Sequence, residues 1–423
     1  MIDAPNLLKD LQRLLPALED DLRARAGAAD PTGAATDAEL RAQYRQARDA
    51  GRVAAAFEVW RDEIVTQAAV AWVLGCVFVR FLEDNALIPS PLLAGPGERR
   101  GRALDERELW FRAPERRTLS DREYLLHAFD SVRAHPAAAD LLDPAHNPLW
   151  TLRPSADAAA ELLRFWQRVD PDSGALVHDF TDPDWNTRFL GDLYQDLSEA
   201  ARKRYALLQT PAFVEAFILD RTLTPAIDTF GLDQVRLIDP TCGSGHFLLG
   251  AFERLFAAWQ DREPGTNPRE LAQRALAQVH GVDLNPFAVA IARFRLLIAA
   301  LKASGVASIR REQAPAFHVH VAAGDSLLHG RRFGELDLGS GAEQLAGRPG
   351  IGHAFAAEDL PALNAILGRR YHAVVGNPPY VTVKDKAVNA LYRDRYDTCH
   401  RQYSLGVPFT ERFFQLAVSG PHP

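Results

Sequence analysis

The sequence predicts an α/β protein, with a Rossmann-like parallel sheet of about four strands preceded by a large, mostly α-helical N-terminal domain. Three observations predict it. From Val235 onward, short apolar runs alternate with helical stretches, the pattern of a doubly wound parallel sheet. Before that, leucines recur at three- and four-residue spacing, and prolines and glycines gather in breaks between helical stretches. At the join, an apolar run passes through Asp239-Pro240-Thr241-Cys242-Gly243-Ser244-Gly245 directly into a helical pattern. Strand, glycine turn and helix open a nucleotide-type α/β site, because glycine lets backbone approach a ligand with no Cβ in the way. A Gly-x-Gly turn also makes ordinary strand-to-helix connections, so the motif needs company.

Residues 1–187 form the expected helical domain. Leu7, Leu8, Leu11, Leu14, Leu15, Leu18 and Leu22 mark a helix over residues 2–27, and the helical tendency continues to about Leu87. Within it, Ala68 to Val79 is too short to span a bilayer and is flanked by Asp62, Glu63, Arg80, Glu83 and Asp84, so it reads as a buried helix. Pro89, Pro91, Gly95, Pro96 and Gly97 break the pattern, and a polar, Arg-rich stretch follows to about Ser120. Helical patterns resume at Tyr124–Phe129 and Ala158–Val169, with Trp150, Trp166 and Trp185 expected in core or interdomain packing and base stacking as the rival reading. Residues 188–234 are a helical lead-in. There Leu190, Leu193, Tyr194 and Leu197 share a face that ends in Arg202-Lys203-Arg204. After Gln209, Thr210 and Pro211 read as N-cap and first residue of an amphipathic helix through Val214, Phe217 and Ile218.

Residues 235–423 hold the sheet, with strands expected at Val235–Ile238, Gln278–Val282, Phe317–Ala322 and His372–Val375. Asp239, Asp283 and Asp325 each fall at a strand's carboxyl end, where open α/β sheets bind ligands. One such carboxylate is often a helix cap; three on consecutive strands suit a ligand with several polar groups. Helices are expected at Phe247–Phe252, Phe287–Lys302 and Leu360–Leu367, with a glycine-rich surface loop from Gly330 to Gly352. After the fourth strand comes Asn377-Pro378-Pro379-Tyr380. Its two prolines fix φ and remove two donors, so the loop presents carbonyl oxygens. Lys384, Lys386, Arg393, Arg395, His400 and Arg401 follow, either a phosphate-contacting patch or a solvated face, and then a last helix over Tyr403–Ser419.

Composition bounds the reading. At 423 residues the chain suits about two or three domains. Cys76, Cys242 and Cys399 are widely spaced, which suits a reducing cytoplasm and offers neither a zinc pattern nor a disulfide framework. No metal site and no membrane partner are expected. The net charge of −7 is unlike a dedicated nucleic-acid-binding domain, so DNA would meet a local patch or a surface elsewhere.

Asp-Pro-x-Cys-Gly-Ser-Gly-x-Phe-Leu at residues 239–248, followed by Asn377-Pro378-Pro379-Tyr380, resembles the S-adenosylmethionine-dependent DNA methyltransferases that modify amino groups. With Gln209-Thr210-Pro211 upstream, the order is similar to the gamma class of N6-adenine methyltransferases. The flanks 243–250, 380–386 and 403–409 look like the methyltransferases of BREX phage-defence systems, and the motif resemblance covers about residues 188–418. The resemblance implies S-adenosylmethionine as cofactor, double-stranded DNA as partner, and association with other phage-defence subunits or a separately encoded C-terminal portion. It places Thr210, Asp239, Thr241, Gly243 and Gly245 around the cofactor's methionine part. Asp283 would accept from the ribose hydroxyls, Leu284 would lie against the adenine, and Asp325 would accept from its amino group. Asn377 and Pro378 would accept the two N–H groups of a flipped adenine, on which Tyr380 would stack.

Two other activities stay in view. Glutamine-directed protein methyltransferases also use Asn-Pro-Pro-Tyr. A restriction nuclease fused to a methyltransferase would need a Glu-x-Lys or Gln-x-Lys, which this sequence lacks. The resemblance also implies further strands and a target-recognition domain beyond the last helix. A truncated copy, with a bare apolar edge on the fourth strand and weak or no methylation, is therefore the expectation, and a non-catalytic cofactor-binding fragment is the alternative.

Overall fold

The structure, a computed structural model, describes residues 2–27, 33–49, 51, 53–197, 210–309, 317–330 and 358–418. Arg202-Lys203-Arg204, Gln209 and the glycine-rich interval after Gly330 lie outside these residues. The chain divides into two compact units that interleave in sequence: residues 1–40, 61–200 and 305–316 in one, and 41–60, 201–304 and 317–423 in the other.

The first unit is helical. Helix α1 (Ala4–Arg25) starts on Asp3, whose side chain accepts from the Asn6 N–H, and it buries Leu7, Leu11, Leu15, Leu18 and Leu22. After α2 (Ala34–Asp49), of which residues 41–49 belong to the second unit, helix α3 (Phe57–Asp84) supplies most of the core from residue 61 on, with Trp72, Phe78 and Phe81 fully buried. By length and apolarity α3 could cross a membrane, yet 94% of its apolar window is buried inside the protein. The polar, Arg-rich stretch, which shows no helical pattern in the sequence, forms helix α4 (Glu98–Arg112). Arg is a good helix former, and a helix that buries little more than Ala103 gives no apolar period to read. Helices α5 (Asp121–Arg133), α6 (Ala156–Gln167) and α7 (Phe189–Asp196) complete the unit, and Trp166 is fully buried among them.

Among the described residues the second unit is built on four strands: β1 (Leu237–Asp239), β2 (Val279–Asp283), β3 (His320–Ala323) and β4 (Ala373–Val374). All neighbours pair in parallel, in the order β3-β2-β1-β4. Register aligns Ile238 with His280 and Val374, and Asp283 with Ala323. Helices α8 (Ala212–Phe230), α9 (His246–Arg262), α10 (Pro268–Ala277), α11 (Pro286–Ala303) and α12 (Leu360–Leu367) surround the sheet. One sheet face packs Ile238, Val282 and Ala322 against Leu363, Ile366 and Leu367 of α12. On the other face Gly281 lies so close to α9 that a Cβ there would stand 2.6 Å from Leu248 Cδ1. With both faces covered, the strands read as continuous apolar runs.

Two expectations about the second unit change. Helix α8 begins after Pro211, with no side-chain cap, so Thr210 is not its N-cap. It buries Leu219, Leu223 and Ala226, while Phe213 and Phe217 are exposed, so its apolar period points the other way from the one read. The outer edge of β4 is also not bare. After α13 (Lys386–Arg395) and α14 (Gly406–Leu416), Ala417 pairs in parallel with Tyr371. The Tyr371 N–H donates to Leu416 O at 2.8 Å and the Val418 N–H to Tyr371 O at 2.9 Å. The last helix therefore ends before Ser419 because its chain turns into a strand-like path.

Candidate functional site

The sheet order reverses at β1. Successive strands run outward from β1 through β2 to β3, and the chain then returns to β1's other side as β4. The crevice at the carboxyl ends of β1 and β4 is the switch point, where open α/β sheets bind ligands. The two loops singled out from sequence meet there. Gly376 sits so tightly that a Cβ on it would lie 2.7 Å from Thr241 Oγ1 and 2.9 Å from Asp239 Oδ1. Asn377 Nδ2 is 3.4 Å from Thr210 Oγ1, at the outer limit of a hydrogen bond. Thr210 thus joins the crevice by its side chain.

The glycine turn is held from within. Asp239 Oδ1 accepts from the Thr241 N–H at 2.9 Å and the Thr241 hydroxyl at 3.2 Å. The Cys242 N–H donates to Val282 O, and the Gly243 N–H donates to Asp283 Oδ2 at 2.8 Å. These N–H groups are therefore not an open anion nest; two carboxylates and a backbone carbonyl already use them. Gly243 and Gly245 have φ of 52° and 85°, the left-handed region that glycine enters without strain. A Cβ on Gly243 would meet nothing within 4 Å, so its outer side faces open space. Gly245 instead packs on Ala292 of α11. Arg295, also on α11 and buried, donates to Ser244 O at 2.7 Å and pins the turn.

Burial sets the charge state of the carboxylates. Asp239 is 1% exposed, and burial pushes its carboxyl up to about 7 against the pull of the Thr241 donors. Burial likewise raises Asp283 to about 6, although it accepts from the Asn285 and Gly243 N–H groups. Leu284 beside it is partly exposed at the same sheet edge. Asp325 is buried, and that raises its carboxyl too. Its Oδ1 accepts from the Leu327 N–H at 2.8 Å and the Leu328 N–H at 3.2 Å, and its Oδ2 from the Tyr392 hydroxyl at 2.6 Å. Tyr392 was not among the residues expected at the site. Its four-residue spacing from Tyr396 was the available signal, since a helix brings i and i+4 to one face.

The outer residues divide. Tyr380 is 69% exposed, while Asn377, Pro378 and Pro379 are partly buried. Lys384, Lys386 and Arg401 are exposed. Arg395 instead turns inward, donating to Gly330 O at 2.6 Å. Arg393 donates to Arg401 O and lies over the Tyr403 ring at 5.5 Å. Of the expected basic patch, these two side chains serve the fold. Among the described residues no group of three or more His, Cys, Asp or Glu is placed to hold a metal.

A parallel α/β sheet with polar loops converging at its switch point defines a Rossmann-like domain, a fold that binds ligands at that crevice. Comparisons with known proteins narrow the class. Residues 277–420 match the Eco57I restriction-modification methylase family. Across 99% of its length the chain is 51% identical to the adenine-specific methyltransferase PglX of Streptomyces coelicolor, which bears out the resemblance read from the motifs. It spans about a third of that relative, 34% of its length. It is also 28% identical over 216 residues to the type II methyltransferase M.PaeR7I of Pseudomonas aeruginosa, covering 50% of this chain and 29% of that one. Among solved structures, a DrdV–DNA complex aligns over 97% of this chain and 34% of its own with 15% identity and a TM-score of 0.48.

Proposed function

We propose that this chain carries the cofactor site and the target-amine loop of a DNA N6-adenine methyltransferase of a restriction-modification or BREX-type system, with S-adenosylmethionine as donor. The observation that carries the reading is the junction of the Asp239–Gly245 turn with the Gly376–Tyr380 loop at the switch point of the sheet. The adenine-specific relative at 51% identity supports the choice of substrate.

The residues fit the cofactor. Open space beside Gly243 leaves room for a ligand against the turn. Asp239, Thr241 and Thr210 would hold its amino-acid end, Asp283 the ribose diol, Leu284 a face of the adenine and Asp325 the adenine amino group. Buried carboxylates suit these donors, because a cation or hydrogen-bond donor offsets their lost solvation. Bound there, the sulfonium supplies an activated methyl group. The chain's own contribution is alignment and electrostatics. An exocyclic adenine amine is a poor nucleophile, since its lone pair is delocalised into the ring. Asn377 Oδ1 and the Pro378 carbonyl can each accept one of its N–H groups, which favours tetrahedral nitrogen and frees the lone pair. Exposed Tyr380 offers a ring on which a flipped base can stack. Lys384 and Lys386 lie just beyond, available to phosphates.

Calorimetric titration of S-adenosylmethionine into the purified chain, beside Asp283→Ala, tests the cofactor half. Binding by the wild type, weakened at least tenfold in the variant, is expected; a folded wild type that binds nothing refutes the reading. Labelled methyl transfer by the full-length protein tests the substrate half. Label on adenine N6 is expected, and label on a protein glutamine would assign the same loop to the other known use of Asn-Pro-Pro-Tyr.

A further inference from the structure

The loop after β3, residues 325–330, is held by donors from the two helices that follow the target-amine loop. Helix α13 and the residue that caps it, Tyr396, give three: the Tyr392 hydroxyl to Asp325 Oδ2 at 2.6 Å, the Tyr396 hydroxyl to Leu327 O at 2.7 Å, and Arg395 Nη2 to Gly330 O at 2.6 Å. Helix α14 gives Arg412, which donates from Nε to Ser326 O at 2.9 Å and from Nη2 to His329 O at 2.7 Å. Ser326 Oγ closes the set by donating to Pro240 O at 2.6 Å, in the turn after β1. Tyr392, Tyr396 and Arg412 are all buried, and Leu327, Tyr392, Tyr396, Tyr403 and Phe409 pack as one cluster. Most of these bonds go to backbone carbonyls and fix the loop's path. The Tyr392 bond differs, because it ends on the carboxylate assigned to the cofactor's amino group.

We propose that Tyr392 is a positioning residue for that recognition: its hydroxyl holds Asp325 as an ionised, correctly aimed acceptor and ties the helix after the target-amine loop to the adenine end of the cofactor site. The inference rests on the cofactor reading above. The chemistry is one of selection. An ionised carboxylate only accepts, so it favours an amino group; a protonated carboxyl can donate, and so tolerates an oxo group. Burial drives Asp325 toward the protonated form, and the Tyr392 hydroxyl is the leading interaction that opposes this. The other groups whose charge reaches Asp325 are His329, which also opposes it, Glu358, which adds to it, and Arg412 and Tyr396 on the packed helices. Without the tyrosine hydroxyl, the carboxyl pKa rises and the acceptor is lost first at low pH.

The test uses Tyr392→Phe, which keeps the ring, with Tyr396→Phe as the comparison that loosens the same loop without touching the carboxylate. Each is titrated with S-adenosylmethionine and with its deaminated analogue, in which an oxo group replaces the adenine amino group, from pH 5.5 to 8.5. Tyr392→Phe should bind the amino nucleoside about tenfold more weakly at pH 7, with the gap widening as pH falls and closing as it rises. Its preference for amino over oxo should shrink. Tyr396→Phe should show no such pH dependence. A Tyr392→Phe variant with the wild-type profile overturns the proposal, as does a loss equal at every pH and for both nucleosides. A ligand-free measurement separates the two readings. The ¹³C titration of the Asp325 carboxyl should move upward in Tyr392→Phe; an unmoved titration sinks this inference alone, whereas a wild type that binds neither nucleoside sinks the cofactor reading and this with it.

Discussion

Gly376 and Asp239 show how much of the site is decided by single atoms. Alanine at 376 would place its Cβ within 2.9 Å of Thr241 Oγ1, Asp239 Oδ1 and Phe413 Cζ, inside any normal contact distance. Relief must come from displacing those side chains or from moving the Gly376–Tyr380 loop off the glycine turn. Gly376→Ala should therefore cost about 1–3 kcal/mol in denaturant unfolding and weaken cofactor binding well beyond what that loss explains. Asp239 acts through charge. Its folded carboxyl is raised to about 7 from an ordinary 3.8, so the folded state keeps a proton that the unfolded chain has shed. Its contribution to stability is full below the ordinary value and falls as pH rises toward 7, at up to about 1.4 kcal/mol per pH unit. Melting curves from pH 4.5 to 8 should show the wild type losing stability relative to Asp239→Asn over that window; parallel curves would refute the assignment. The sequence placed Asp239 at a strand end because the apolar run stops there. It could not show that the Gly243 N–H is already taken by Asp283, since that bond joins residues 40 apart.

At the scale of elements, the strands and their order along the chain were legible because buried parallel strands are short apolar runs between helices. What failed was faces and edges. Helix α8 turns Phe213 and Phe217 outward, and only the packing partner decides which of two apolar stripes is buried. Helix α3 shows the same limit with charge. Arg80, Glu83 and Asp84 looked like the polar end of a buried helix, yet the structure buries all three. Arg80 donates to Asp84 Oδ2 at 2.8 Å and to the carbonyls of Trp166 and His178. Glu83 accepts the successive N–H groups of Leu92, Leu93 and Ala94. Such a network locks the end of α3 to three later segments. Arg80→Leu would leave Asp84 buried without its countercharge and should cost about 3–5 kcal/mol in chemical denaturation. A loss under 1 kcal/mol would mean that the backbone donors alone carry the carboxylates.

At the scale of the whole molecule, charge constrains how DNA would be met under the proposed function. The chain carries a net −7, so long-range attraction to a polyanion is absent and any contact must be local. Beyond the Gly376–Tyr380 loop, two basic side chains that the sequence offered either as a phosphate patch or as a solvated face make contacts within the chain, Arg395 to Gly330 O and Arg393 to Arg401 O and the Tyr403 ring. Arg393 stays exposed despite those contacts, and Lys384, Lys386 and Arg401 are the patch's other exposed cations. Each phosphate neutralised contributes about −0.9 to the slope of log affinity against log salt concentration. Contacts from Lys384, Lys386 and Arg401 alone give a slope of about −3, well short of a dedicated DNA-binding domain. Fluorescence anisotropy with a labelled duplex between 50 and 200 mM salt, roughly the range over which such slopes are read, measures it directly. Lys384→Ala with Lys386→Ala should flatten the slope by about 2, uniformly across duplex sequences, because phosphate contacts position without reading bases. A wild-type slope much steeper than −3 would place the main phosphate contacts on another surface of the chain, and an unchanged slope in the double variant would return these lysines to a solvated face.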